Sequence, residues 1–278
     1  MHRRCRPLLG TFVEIAADRE EAIESAFDAV DQVHRLMSAH ERNSDLSRIN
    51  RFAHLRSIEV HELTARVLER ALYWARESGG AFDPLRAGSA AIQHNLMPRH
   101  ADQPQPEAAH WTWLELQGCS VRLMKPACID LGGIAKGFAV DRAIDALRRA
   151  GCERGLVNAG GDLRGFGAEA WPVTIVDPLA RSSVAALELK DAALATSAGL
   201  PDARGAGLSF DHLGSSNPRW TSVSVVARSA CDADALTKIV WCATTELGSL
   251  LAAAGARALA ICYDGRVQHV REAAEVDA

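Results

Sequence analysis

Residues 130–142 read Asp-Leu-Gly-Gly-Ile-Ala-Lys-Gly-Phe-Ala-Val-Asp-Arg, which predicts a turn with two glycines followed by a helix. Gly132 and Gly133 let the backbone approach a ligand closely, and Lys136 places a positive charge in the first helical turn. The N–H groups of a helix start are expected to point outward, so the segment could bind a phosphate or pyrophosphate. An ordinary helix start after a strand is the open alternative. Neither the Walker P-loop nor G-x-G-x-x-G matches this order of residues.

The flanking sequence predicts separate helices and strands, with irregular structure between them. Asp18 is expected to cap the first helix, and Gly79-Gly80 is expected to end the second. The segment 85–105 lacks periodicity and is rich in small and polar residues, which favours a long loop with one helical turn at most. Helices are predicted at 18–37, 61–78, 134–150 and 232–253, with a break near Leu247-Gly248, and strands at 11–16, 111–116, 121–123, 156–158, 163–166, 173–176, 186–189, 222–227 and 258–263.

The composition is that of an ordinary globular protein. The chain has 278 residues, of which 48% are hydrophobic and 24% charged, and one domain over residues 1–278 is favoured over two. A net charge of −4 argues against a non-specific nucleic-acid binder. The 7 cysteines are scattered and contain no C-x-x-C pair, so a metal or disulfide framework is not expected. No stretch has transmembrane length and no signal peptide is legible, which predicts a cytoplasmic location.

Short motifs occur in order over roughly residues 8–266. They are Leu9-Gly10-Thr11-Phe12, Met37-Ser38-Ala39-His40, Ser44 to Asn50, Gly80-Ala81-Phe82-Asp83-Pro84, Asp130 to Arg142, Leu156 to Asp162, Ala195-Thr196-Ser197 and Asp234-Ala235-Leu236-Thr237. Each motif alone is a weak signal, but chance similarity would not keep their order across almost the whole chain. On these motifs the chain resembles the ApbE family, the FAD:protein FMN transferases.

The resemblance implies an α+β fold in which a mixed or antiparallel sheet core, related to the T-fold, is flanked by helices in a single domain. It also implies FAD in a cleft and a magnesium ion beside the pyrophosphate. The reaction would move FMN from FAD to a Thr or Ser hydroxyl of a partner flavoprotein subunit and release AMP. Because the charge on a pyrophosphate must be neutralised as the bond breaks, such a site needs a cation.

The resemblance also assigns residues to FAD. Asp130 could instead cap the following helix, Phe82 could be a core aromatic, and the glycines after Asn158 could serve only a turn. His40 stands where the family usually has a tyrosine beside the ligand, and a histidine can still stack there. The positions matched to FAD contacts are Leu9, His40, Ala81, Phe82, Asp83, Asp130, Gly132, Lys136, Asn158 and Thr196.

The chain departs from the family at the metal motif. The family places a threonine four residues after an aspartate on one helix face, so that both oxygens reach one magnesium ion. Here Asp234 is present, but Lys238 stands four residues on and Thr237 three residues on. Two alternatives follow. Magnesium could bind to Asp234, Thr237 and a carbonyl near Gly133, or the Lys238 ammonium could take the place of the ion, since a fixed cation repels magnesium.

A second departure concerns the catalytic residues. Family members carry a His-Ile-Ile-Asp-Pro-Arg run, and the matching text here is Asp211-His212-Leu213-Gly214-Ser215-Ser216-Asn217-Pro218-Arg219. His212 survives, but Asn217 replaces the aspartate and cannot accept a proton as a carboxylate does. His212 and Asp211 are therefore the expected catalytic pair, unless His212 is only a polar loop residue. A protein that binds FAD, or hydrolyses it slowly, without modifying an acceptor is the alternative function.

Overall fold

The computed structural model describes residues 1–93, 96–98, 109–201, 208–209, 219–242 and 247–270. The helices are α1 (Ala22–Met37), α2 (Asp45–Phe52), α3 (Glu62–Glu77), α4 (Pro84–Gln93), α5 (Ala135–Arg149), α6 (Ala230–Cys242) and α7 (Gly248–Ala253). The strands are β1 (His2–Leu8), β2 (Thr11–Ala17), β3 (Ile58–Glu59), β4 (Leu114–Gln117), β5 (Ser120–Leu123), β6 (Gly155–Ala159), β7 (Asp162–Phe166), β8 (Trp171–Val176), β9 (Ser183–Leu189), β10 (Ala192–Ala198), β11 (Leu200–Pro201), β12 (Leu208–Ser209), β13 (Trp220–Ala227), β14 (Arg257–Cys262) and β15 (Val267–Val270).

The fold is built on an eight-stranded sheet with the strand order β1-β2-β6-β7-β10-β13-β14-β15. Each neighbouring pair in this sheet is antiparallel. Three helices cover one face of this sheet, with α5 between α1 and α6. Helix α1 packs on β2, helix α5 packs on β6 and β7, and helix α6 packs on β10 and β13. The α+β class is confirmed, and of the two expected kinds of sheet, mixed or antiparallel, the antiparallel one is observed.

The sheet buries both of its faces, in agreement with the period of two along its strands. On β10, Ala193 and Ala195 belong to the large core under the helices, whereas Leu194 faces a second cluster. That second cluster is closed by the β8–β9 hairpin, which contributes Trp171 and Leu189. Because alternate side chains of a strand point to opposite faces, one strand supplies both cores. The sheet therefore lies between a helical layer and a hairpin.

One edge of the sheet is β1, which pairs with β2 along its whole length. Its arginines are exposed or half-buried, and they form ion pairs with acidic residues of β2, of the segment that leads into α1 and of α1 itself. Arg4 lies 2.7 Å from Glu20, and Arg6 lies 2.7 Å from Glu24. This edge consequently presents charge rather than apolar surface.

The observed helix ends confirm one of the two predictions made from the sequence. His61 caps α3, because its Nδ1 accepts a hydrogen bond of 3.1 Å from the amide of Leu63, and the helix gives way to Gly79 and Gly80 as predicted. The prediction that Asp18 caps α1 is wrong. The helix begins at Ala22 without a side-chain cap, and the Asp18 carboxylate accepts the Glu153 amide at 3.0 Å. Asp18 therefore joins the start of α1 to the loop before β6.

The segment 85–105 is predicted to be a long loop, but its first part, up to Gln93, belongs to helix α4. Asp83 occupies its N-cap position and Pro84 its first helical position, a favourable pairing for a helix start. Ala87, Ala90 and Ala91 are buried, so this helix packs through small side chains. Small residues give little contrast in hydrophobicity, which explains why the periodicity was weak. Residues 94–95 and 99–105 of the predicted loop lie outside the described residues.

Helices α5 and α6 approach each other closely at a glycine. A Cβ atom on Gly137 would lie 2.1 Å from the carbonyl oxygen of Ala230, so only glycine fits there. The Asp141 carboxylate of α5 accepts the amides of Ala230 and Cys231 at 3.0 and 2.9 Å, which satisfies the start of α6. Within the described residues, no helix combines the length and the apolar character needed to cross a bilayer.

Candidate functional site

A cavity of about 330 Å³ opens beside the segment that was singled out in the sequence. Its walls come from the β1–β2 turn, the end of α1 and the residues after it, the end of α4 and the segment from Asp130 to Lys136. The volume is at the lower end of the range of ligand pockets. Of the positions assigned to FAD, the cavity is lined by Leu9, His40, Asp130, Gly132 and Lys136.

The glycine turn before α5 is organised by its own aspartate. The Oδ1 of Asp130 accepts the amide of Gly132 at 2.8 Å, and the Leu131 carbonyl accepts the amides of Ile134 and Ala135. The Gly137 amide has a partner that is distant in sequence: it donates a hydrogen bond to Asp234 Oδ2 at 3.2 Å. The expectation that the amides of this helix start point outward to an anion is thus wrong for these residues, because acceptors of the protein already hold them.

Lys136 supplies the positive charge of the cavity wall. Its side chain is 31% exposed, and its ammonium forms an ion pair with the carboxylate of Asp162, whose side chain is only 2% exposed. Burial opposes the charge on Lys136, but the carboxylates of Asp234 and Asp162 outweigh it and raise the lysine pKa. Burial and the nearby charge of Asp234 raise the pKa of Asp162 to about 6. The pair therefore stays charged at neutral pH, and Lys136 is also a residue of the cavity wall.

A second ion pair lies beneath the first, in the interior. The ammonium of Lys238 donates to Asp234 Oδ1 at 2.8 Å, to Ser197 Oγ at 2.7 Å and to Thr237 Oγ1 at 3.0 Å. Asp234 is fully buried and Lys238 is 4% exposed. Burial works against the charge of Asp234, but the charges of Lys238 and Lys136 prevail and lower the pKa of this carboxyl. All the donors of the ammonium are thereby used within the protein.

The residues expected to hold magnesium meet at this second pair, but they do not fit the ion. Thr237 Oγ1 donates to the carbonyl of Asp234 at 2.7 Å and accepts from Lys238. A Cβ atom on Gly133 would lie 3.1 Å from Lys238 Cγ, so the lysine stem fills the space beside this glycine. Magnesium needs oxygen ligands at close to 2.1 Å in octahedral geometry, and here an ammonium takes those oxygens. Among the described residues, no group of three His, Cys, Asp or Glu could hold a metal.

The remaining residues assigned to FAD do not line the cavity. Phe82 is 3% exposed and belongs to the main core. Ala81 precedes it and packs against the same core. Asn158 Oδ1 accepts the Gly161 amide at 3.0 Å and stabilises the β6–β7 turn, and the Thr196 hydroxyl bonds with Ser224 across two strands at 2.9 Å. Asp211 and His212, the predicted catalytic pair, lie outside the described residues.

Asp83 also lies apart from the cavity, where it connects two segments of the chain. Its Oδ1 accepts the amides of Leu85 and Arg86 at 2.9 and 3.1 Å, and its Oδ2 accepts that of Trp111 at 3.1 Å. The residue is 1% exposed. A buried carboxylate with three amide donors contributes to stability through both the helix cap and the cross-link.

We expect Asp83→Ala to lower the free energy of unfolding by about 3 kcal/mol, because the two hydrogen bonds of the helix cap and the one from the Trp111 amide are lost. Urea denaturation of the FAD-free protein measures this loss. Asp28→Ala, an exposed position on α1, is the control and should change stability by less than about 0.5 kcal/mol. An Asp83→Ala protein of unchanged stability and weak FAD binding would instead indicate direct contact with the ligand.

The structure adds residues that the motifs did not assign to the cavity. His34 lines it, and its Nδ1 accepts the Leu9 amide at 3.2 Å. Leu9 has a φ of 56°, an unusual backbone conformation for a non-glycine residue, so this bond holds the turn at the cavity rim. The sequence could have indicated that His34 lies near the cavity, because it stands three residues before Met37 and therefore on the same side of α1. Asp162 and Ser197 belong to two of the sequence motifs, but those motifs did not assign them to the ligand.

Comparisons with known proteins agree with this architecture. A family model described as the ApbE family matches residues 9–261. A FAD:protein FMN transferase of Treponema pallidum (strain Nichols) is 27% identical over 188 residues, which are 60% of this chain and 52% of that protein. The chain thus spans about half the length of this relative.

Two solved structures share the fold. The crystal structure of an ApbE protein from Thermotoga maritima has a TM-score of 0.84 and 23% identity, covering 98% of this chain and 97% of its own. The flavin transferase ApbE from Vibrio cholerae has a TM-score of 0.80 and 24% identity, covering 96% of each chain. At these identities the likeness concerns the fold, which extends over nearly all of the chain.

Proposed function

Because the chain belongs to the ApbE family, we propose that it is a FAD:protein FMN transferase that moves FMN from FAD to a Thr or Ser hydroxyl of a partner protein and releases AMP. The observation that carries the proposal is Lys136, a residue of the cavity wall whose ammonium remains charged. A single domain over residues 1–278 and a cytoplasmic location are parts of the same proposal.

In the proposed complex the diphosphate of FAD lies against Lys136 and the turn at Gly132. The apolar wall contributed by Leu9 and the imidazole of His40 would contact a ring system of the ligand, as aromatic surfaces do. Asp130 would accept hydrogen bonds from ligand N–H or O–H groups. The other positions assigned to FAD by resemblance, Ala81, Phe82, Asp83, Asn158 and Thr196, would support this wall or extend the contact beyond the cavity.

The proposed reaction is a phosphoryl transfer at the FMN phosphorus. The acceptor hydroxyl oxygen forms a new bond to that phosphorus, the bridging P–O bond breaks, and AMP leaves with the bridging oxygen. The charge that develops on the phosphate oxygens needs a cation in fixed position, which is the role we assign to Lys136. The proton of the attacking hydroxyl passes to a base, for which we propose His212 assisted by Asp211.

The decisive experiment is incubation of the purified protein with FAD and a flavoprotein subunit that carries a Thr or Ser target. Flavin fluorescence of the subunit after denaturing electrophoresis, together with AMP in solution, supports the transferase. A subunit with its target residue changed to alanine should remain unlabelled. Release of AMP and FMN without label would instead indicate hydrolysis, and failure to bind FAD would exclude both activities.

We expect His212→Ala to lower the rate of FMN transfer roughly 100-fold, the low end of general-base contributions, with little change in FAD affinity. The base acts on the acceptor hydroxyl and not on bound FAD, so the two quantities should separate. Single-turnover labelling measures the rate and flavin fluorescence measures the affinity. His110→Ala is a control at a histidine outside the cavity lining, and an equal rate in both variants would remove the assignment of His212.

A further inference from the structure

Four charged side chains form a compact cluster beneath the candidate FAD site. They are Lys136, Asp162, Asp234 and Lys238, joined by an ion pair at each end. The Gly137 amide, which donates to Asp234, connects the two pairs across the α5–α6 contact. Two positive and two negative groups give this cluster no net charge, so it is complete without an added ion.

We propose that the ammonium of Lys238 is the built-in cation of this nucleotide site, so that the protein binds FAD without a divalent metal. The inference rests on the proposed function, since it concerns how the same site neutralises a diphosphate. It is also separable from that function, because metal binding can be measured in the absence of FAD.

The contacts of Lys238 leave no room for a metal at the same position. Its nitrogen lies within 3.0 Å of Asp234 Oδ1, Ser197 Oγ and Thr237 Oγ1. These oxygens are the local candidates for ligands of a hard cation, and each already accepts from the ammonium. A magnesium ion bound to any of them would lie a few ångström from a buried positive charge, where repulsion is strong.

The lysine is also held in place along its length. It lies one helical turn from Asp234 on α6, so the two side chains share a face of the helix. Its stem packs against Gly133, where a Cβ atom would be 3.1 Å from Cγ and 3.4 Å from Cε. The ammonium is therefore held in a fixed position beneath the glycine turn. Gly132, which precedes Gly133 in this turn, lines the cavity.

The charge balance explains why this site needs a cation. Without Lys238, two carboxylates would face the single ammonium of Lys136, and the cluster would be negative beside an anionic ligand. With Lys238, Asp234 is neutralised internally, and Lys136 has only the carboxylate of Asp162 to balance. Lys238 has no donor left for the ligand, so its effect on FAD is electrostatic, through the charge of Asp234 that it cancels.

The test compares wild-type protein in EDTA and in excess MgCl₂. We expect equal FAD affinity in the two buffers by fluorescence titration, and no heat of Mg²⁺ binding by calorimetry of the FAD-free protein. A requirement for Mg²⁺ in FAD binding, or Mg²⁺ binding by the wild-type protein that Asp234→Asn abolishes, would overturn the inference. Absence of FAD binding in both buffers would instead contradict the proposed function, while the calorimetry would still decide the metal question.

Lys238→Thr supplies the reciprocal test, because it restores a threonine four residues after Asp234. We expect this variant to bind FAD at least tenfold more weakly in EDTA, and to recover affinity and thermal stability when Mg²⁺ is added. Lys190→Thr, at an exposed lysine, should behave as wild type in both buffers. Equal FAD affinity of Lys238→Thr and wild type in EDTA would contradict the inference. Should Lys238→Thr not fold in either buffer, the wild-type measurements decide alone.

Discussion

Replacing Lys136 with methionine is expected to weaken FAD binding on the order of 100- to 1,000-fold, or about 3–4 kcal/mol. The change removes the one lysine that lines the cavity among the described residues and leaves the buried carboxylate of Asp162 without its partner cation. The loss of attraction from Lys136 and the repulsion by Asp162 both lower the affinity for the anionic FAD. Titration of FAD by its fluorescence measures the affinity.

A double variant separates this effect from a loss of folding. The Lys136→Met protein is expected to be less stable as well, because one member of a largely buried ion pair has lost its partner. Lys136→Met with Asp162→Asn removes both charges, so stability should recover in part while FAD binding stays weak. A double variant that binds FAD like the wild type would show that Lys136 serves only the fold. Lys190→Met is the control for a lysine in solvent.

Gly137→Ala is expected to destabilise the protein by about 3 kcal/mol or more, at or above the upper end of the usual cost of overpacking. The new methyl group would lie 2.1 Å from the carbonyl oxygen of Ala230 and 2.5 Å from its carbon. Both are backbone atoms at the start of α6, so no flexible side chain can move aside. The helices must separate, which also disturbs the Gly137–Asp234 hydrogen bond beneath the cavity. Urea denaturation monitors the stability.

Gly118→Ala is the matched control for this prediction. Gly118 has a φ of 58°, but nothing lies within 4 Å of the position of an added Cβ atom. Its cost is therefore limited to backbone strain of roughly 1 kcal/mol. A Gly137→Ala protein no less stable than Gly118→Ala would mean that α5 and α6 do not approach each other as described.

The sequence predicted elements with strong patterns and failed where the pattern was weak. Helix α1 has a regular apolar face from Ala22 to Met37, and its position was confirmed. Strand β10 reads Ala-Ala-Leu-Ala-Thr-Ser-Ala and was missed, although it is a central strand of the sheet. Its alanines fit under the packed helices, so their burial is a result of tertiary structure. Helix α4 was missed for the same reason, since its packing also relies on small residues.

In the candidate site, the local features were predictable from the sequence and the contacts between distant residues were not. The Asp130–Lys136 segment is local, and its turn, its helix and its charged residue were all recognisable in the sequence. The partner of Lys136 was not, because Asp162 is 26 residues away at the start of another strand. Likewise, the sequence left open whether Lys238 or magnesium accompanies Asp234. The contact that favours Lys238 most directly is its hydrogen bond to Ser197, and that contact depends on how α6 packs on β10.

The arginine-bearing edge strand β1 has a consequence for how these molecules behave at high concentration. An outermost strand with free backbone groups is a template on which a second polypeptide can extend a sheet, a common beginning of aggregation. On β1, Arg3 pairs with Glu14 at 3.0 Å, and Arg4 and Arg6 make their own ion pairs alongside it. An approaching strand would have to accommodate or displace this charged, hydrated layer, so the edge discourages intermolecular β-pairing and helps to keep the protein in solution.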